Sequence, residues 1–151
     1  MAYLRVMRAE SFPPADAEHL ERWSAFPSWG QETNYNLHMG FIVEDIRKGY
    51  ARLRLPMRPE LLQPAGIMHG GAIASLIDTA VVPALGAAGV APTRMVTISM
   101  TTNFLGAIVD EDAICEGWIT RQGRSIVFCE AEVTGADSGK VCAHGTLVYK
   151  V

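Results

Sequence analysis

The stretch Met68-His69-Gly70-Gly71-Ala72-Ile73-Ala74-Ser75-Leu76-Ile77-Asp78, which continues apolar to Ala87, decides the fold. Between Gly71 and Ala87, residues Ile73, Leu76, Ile77, Ala80, Val81 and Ala84 recur at three- and four-residue spacing, the period of an α-helix. Asp78 lies on a flank of that helix with Ala74, Val82 and Leu85, so the second face is apolar too. A helix apolar nearly all round is covered on most sides. Something beyond the chain's own sheet is therefore expected over Asp78, and a second subunit is the simplest cover. Gly70 and Gly71 fall where the free N–H groups of a helix start point outward, a place that attracts a carbonyl oxygen gaining negative charge. Asp78, two turns further on, is the nearest candidate for a base.

Strand patterns lie on both sides of this helix. Phe41-Ile42-Val43, the turn Lys48-Gly49 and the alternating run Tyr50 to Leu55 read as a hairpin. Four more strands are expected over Met95 to Phe104, Ala113 to Thr120, Ser125 to Thr134 and Val141 to Tyr149. The connections at Gly106 to Asp112, Gln122-Gly123-Arg124 and Ala136 to Gly139 are short enough for an antiparallel meander. Upstream, Ala15 to Phe26 reads as a short amphipathic helix ended by Pro27, and the stretch to Asn36 as irregular. The order two strands, one helix, four strands predicts an α+β domain: an antiparallel sheet of five to six strands curled around one long central helix. Residues 1–151 form a single domain in this reading, with 1–35 as an N-terminal extension. Unpaired edge strands favour joining two copies edge to edge.

Composition narrows the function classes. A net charge of −3 with scattered basic residues shows no footprint for nucleic acid. Met1-Ala2-Tyr3-Leu4-Arg5 lacks the apolar core of a signal peptide, and Asp78 and Pro83 interrupt the longest apolar run, so a cytoplasmic protein without a membrane partner is expected. Cys115, Cys129 and Cys142 are odd in number, lack metal-ligand spacing and fall in strand-like runs, which predicts reduced structural thiols.

Gln63-Pro64-Ala65-Gly66-Ile67-Met68-His69-Gly70-Gly71, followed by Ala72 to Asp78, resembles the signature of PaaI-like acyl-CoA thioesterases of the hotdog superfamily. The resemblance spans roughly Asn36 to Val151. It implies a homodimer with active sites at the subunit interface, a possible pairing of dimers into a tetramer, and an acyl-CoA substrate with no cofactor and no metal. By position, Asp78 matches the carboxylate that activates or positions water. Gly70 and Gly71 match the helix N-terminus whose N–H groups polarise the thioester carbonyl, and His69 the histidine that helps hold substrate. Gln63 stands where many relatives have asparagine, keeping the amide on a longer side chain. Thr97 falls where a relative's serine orients water. The carboxylate and the His-Gly-Gly segment of one site are expected from different subunits.

The implied activity is hydrolysis of an aryl- or short- to medium-chain acyl-CoA, by water attack or through an Asp78 anhydride. A non-catalytic acyl-CoA sensor, or a hotdog hydratase or dehydratase, is the alternative. Each residue also has a plainer reading. His69-Gly70-Gly71 suits any tight start of a buried helix, and Thr97 alternates with Ser99, Thr101 and Asn103 as on any polar strand face. His19, His38 and His144 have no partner pattern and read as structural or exposed. Trp23, Phe26 and Trp29 read as a hydrophobic patch. Arg124, with Arg121 beside it, is the first candidate for a coenzyme A phosphate contact, because guanidinium binds phosphate bidentately.

Overall fold

The central helix forms over Gly70–Ala87 and lies across one face of a six-stranded antiparallel sheet. This computed structural model describes residues 8–151, so the expectation drawn from Met1 to Arg5 lies outside the described residues. The strands are β1 (Ile42–Arg47), β2 (Tyr50–Leu55), β3 (Val96–Phe104), β4 (Ala113–Gln122), β5 (Ile126–Gly135) and β6 (Val141–Lys150). Their spatial order is β1-β2-β4-β5-β6-β3. The helices named here are α1 (Ala17–Ser24) and α2 (Tyr35–Met39), both before β1, and the central helix as α3.

The core is the predicted stripe. Ile73, Leu76, Ile77, Ala80, Val81 and Ala84 are buried against Leu53, Cys115, Ala131, Val133 and Leu147 of the sheet. Glycines on two strands let the helix backbone approach: a Cβ at Gly117 would fall 2.9 Å from Val81 Cγ1, and one at Gly145 would fall 2.5 Å from Ile77 Cγ2. The helix is long and apolar enough to cross a membrane by length and composition, but most of it is buried inside the chain's own fold. What its sheet leaves partly open is the stripe Gly71, Ala74, Ser75, Asp78 and Val82, which includes three residues of the flank that the sequence expected a second subunit to cover, whereas the fourth, Leu85, is buried in the chain's own core.

Two expectations are corrected. Gly106 to Asp112 is not a meander turn, since β3 pairs with β6 at the sheet edge while β4 pairs with β2. The connection therefore crosses from edge to middle, and loop length alone does not reveal which strand a segment will pair with. The stretch expected to be irregular up to Asn36 ends in α2, capped by Asn34, whose side chain accepts from Leu37 N–H.

The N-terminal segment packs on this core. Trp23 of α1 is buried on Gly86 of the central helix, where a Cβ would overlap its ring at 1.8 Å. Phe26 and Trp29 pack around it, as the expected aromatic patch. Arg8 reaches the other face of the sheet, where it pairs with Glu116 and Glu132 and lies 4.1 Å from the Trp118 ring centroid. The three cysteines are buried, Cys115 and Cys129 as free thiols, and burial pushes Cys129 up to about 12.

Candidate active site

The helix start is built by His69. Its backbone is extended, with φ −64° and ψ 136°, and its carbonyl accepts the N–H groups of Ala72 and Ile73. Its Nδ1 accepts the Gly71 N–H at 2.8 Å, which places the proton of the neutral ring on Nε2. Two outward donors were expected from the sequence, and this capping bond takes one of them. The Gly70 N–H has no acceptor among the described residues. Phe104, at the end of β3, lies beside it, and a Cβ at Gly70 would stand 3.3 Å from the ring. Upstream, the Leu62–Met68 bridge closes a small loop in which Gln63 is half-buried and bonds through its backbone to Ile67 and Gly66.

Two turns along the helix, Asp78 is partly buried. Its Oδ1 accepts from Thr97 Oγ1 at 2.8 Å and from Tyr149 Oη at 2.9 Å. Thr97 reaches it because of a β-bulge: Thr97 pairs with Tyr149 and Ser99 with Val148, leaving Ile98 as an extra residue. Thr97 therefore faces the helix, with Met100 and Thr102, and not the solvent side with Ser99, Thr101 and Asn103, as simple alternation had it. The alternation with Ser99, Thr101 and Asn103, the plainer reading of Thr97, is broken by the bulge.

Asp78 opens into a cleft of about 480 Å³. Thr97, Tyr149, Ser75, Tyr35 and Asn36 supply polar groups, and Phe26, Val82 and Met95 supply apolar ones. Ser75 Oγ donates to the Gly71 carbonyl at 2.8 Å, so the Tyr35 hydroxyl, 2.5 Å away, donates to Ser75. Burial, then the Asp78 charge, raises the Tyr149 phenol far above its ordinary value and keeps it a neutral donor. Tyr149 was missed from the sequence. The available signal was a tyrosine at an inward-facing strand position, since a buried phenol needs a partner.

The structure groups His69 with Gly70 and Gly71, and Asp78 with Thr97, but holds the two groups apart. Eight residues at 1.5 Å each separate Gly70 from Asp78 by roughly 12 Å along one helix. Arg121 and Arg124 are exposed and do not line the cleft. Their turn does stand at the same end of the sheet, since Gln122 pairs with Val127, Val127 with Tyr149, and Tyr149 with Thr97.

The sequence profile of the thioesterase superfamily matches residues 65–142, which include the His-Gly-Gly segment, Asp78 and Thr97. The chain belongs to that superfamily. A protein of Saccharolobus solfataricus, described provisionally as an esterase, is 32% identical over 102 residues, 67% of this chain and 71% of its own length. Among solved structures, a conserved protein of Pseudomonas aeruginosa is 30% identical with a TM-score of 0.72, covering 78% of this chain and 93% of that one. The E. coli PaaI protein, from the phenylacetic acid degradation operon, superposes with a TM-score of 0.76 over 88% of this chain and 92% of its own. At 19% identity that likeness concerns the fold. The thioesterase superfamily thus supplies both the hotdog architecture seen here and a general expectation of thioesterase-type hydrolysis.

Proposed function

We propose that this protein hydrolyses an aryl- or short- to medium-chain acyl-CoA at a site shared between two copies of the chain. The observation that carries this reading is the roughly 12 Å between the free Gly70 N–H and Asp78, set by the helical rise. One thioester carbonyl cannot touch both on a single chain, whereas the amide of one copy and the carboxylate of another can meet across an interface. The open helix stripe supports this, and so does β3, an edge strand whose Val96, Ile98 and Phe104 are each more than half exposed.

In the proposed reaction, Asp78 takes a proton from water and the resulting hydroxide attacks the thioester carbon. The carbonyl oxygen becomes an oxyanion held by Gly70 N–H, with Gly71 N–H available only if the His69 ring turns away. Collapse of the tetrahedral intermediate breaks the C–S bond, and the departing thiolate takes up the proton that Asp78 accepted from water, which restores the carboxylate. The products are a carboxylic acid and coenzyme A. In this proposal His69, through Nε2–H, and the Gln63 amide orient substrate near the helix start. The acyl group occupies the cleft beside Asp78, and Arg121 and Arg124 remain candidates for the coenzyme phosphates.

The test is hydrolysis of aryl-, short-, medium- and long-chain acyl-CoAs by wild type and Asp78→Asn, following released thiol. Loss of the base is expected to lower kcat by about 10²–10⁴ in a folded protein. Mixing Asp78→Asn with a Gly70→Val partner, each inactive alone, should restore up to a quarter of the wild-type rate through mixed dimers, whereas a site within one chain would restore none. Tight binding of an acyl-CoA without turnover by wild type would instead establish a sensor.

A further inference from the structure

The two hydroxyls that meet Asp78 converge on the same oxygen. Thr97 Oγ1 and Tyr149 Oη both lie within 2.9 Å of Oδ1, and Tyr149 Oη is also 2.8 Å from the Asp78 backbone carbonyl. Oδ2 has no hydrogen-bond partner among the described residues. The threonine hydroxyl turns freely about one bond, but the phenol does not: its ring is buried and its β6 backbone is paired on both sides, with Val127 of β5 and Thr97 of β3. Among the described residues lining the cleft, Asp78 is the sole charged group, and Tyr35 and Tyr149 are the other titratable ones.

We infer that Tyr149 is a positioning residue for the proposed hydrolysis: with Thr97 it pins Oδ1 of Asp78, so that the carboxylate turns Oδ2 toward the water. The inference rests on the thioesterase reading for its chemistry and on the geometry of Asp78 for its mechanism. Thr97 donates to Oδ1, and the one phenol proton of Tyr149 is shared between that oxygen and the Asp78 backbone carbonyl; together they restrict the rotation of the carboxylate, so the base is aimed before substrate arrives. The phenol remains protonated through the neutral range, because burial and the neighbouring Asp78 charge both oppose its ionisation.

Tyr149→Phe removes the hydroxyl and leaves the ring. The expected result is a kcat about 10- to 100-fold lower with KM changed less than about threefold, the pattern of a group that acts in the transition state. In an Asp78→Asn background the same substitution should change the rate less than about twofold, since no carboxylate is left to aim. Equal losses in both backgrounds, or a Tyr149→Phe loss that falls on KM and leaves kcat unchanged, would overturn the inference. Thr97→Ser and Thr97→Val provide a second pair, of which serine should retain the rate and valine lose it.

One readout needs no turnover. In protein carrying 13C-labelled aspartate carboxyls, the Asp78 signal, assigned by its loss in Asp78→Asn, should change its chemical shift in Tyr149→Phe at one fixed neutral pH. An unchanged signal would sink the positioning role even in an active thioesterase. A changed signal in a protein that hydrolyses no acyl-CoA would retain the positioning role and remove the function assigned above.

Discussion

Asp112, away from the cleft, shows how one carboxylate links this fold to acidity. It accepts from the Met57 backbone N–H at 2.8 Å and from Arg54 Nη1 at 2.9 Å. The Met57 amide first, and then Arg54, hold it below the ordinary carboxylate range despite partial burial. The unfolded chain therefore binds the proton more tightly, so this contribution is present above about pH 3.9 and is lost as pH falls through the lower folded value. Denaturant midpoints measured from pH 6 to pH 2 should drop at the acid end, and Asp112→Asn should flatten part of that drop. At this scale the sequence was informative where a residue type had a single sensible use, as with Asp78 between two apolar neighbours. It was uninformative where partners came from distant strands. Tyr149 lies 71 positions from Asp78, and only the folded sheet brings them together.

Helix α1 is fastened by a contact with no tolerance. Replacing Gly86 by alanine gains about 1 kcal/mol of helix propensity. The new methyl would overlap the Trp23 indole at 1.8 Å, however, so the ring or the helix must shift. Overpacking of this kind costs about 1–3 kcal/mol, or more when a buried aromatic is expelled, so the clash outweighs the propensity gain. Gly86→Ala should lower the melting temperature, and it should also alter acyl preference, because displacing Trp23 disturbs the adjacent Phe26 wall of the cleft. The existence and type of the main elements could be read from period and turn chemistry. The bulge at Ile98 could not, because a single extra residue leaves hydrophobic alternation nearly intact while inverting the face of everything before it. The crossover between β3 and β4 was hidden for the same kind of reason, since its length also suits a tight turn.

Across the whole molecule, β3 is the edge with the most unprotected apolar surface, including Val96, Ile98 and Met100, with Leu105 just beyond it. Under the shared-site proposal, Ile98→Lys should yield a folded monomer by sedimentation and abolish acyl-CoA hydrolysis. A folded, fully active monomer would defeat the shared site. The sheet wrapped on one helix followed from element order alone, whereas the identity of the joining edge did not, because it depends on which strand the crossover leaves outermost. The spacing of Gly70 and Asp78, roughly 12 Å by helical rise, has a further consequence when viewed as mass action. Under the shared-site proposal, a solitary chain owns two halves of different machines and a working copy of neither. At dilutions well below the dissociation constant, turnover would follow the population of pairs and not the number of chains, rising with the square of protein concentration and flattening to first order as assembly saturates.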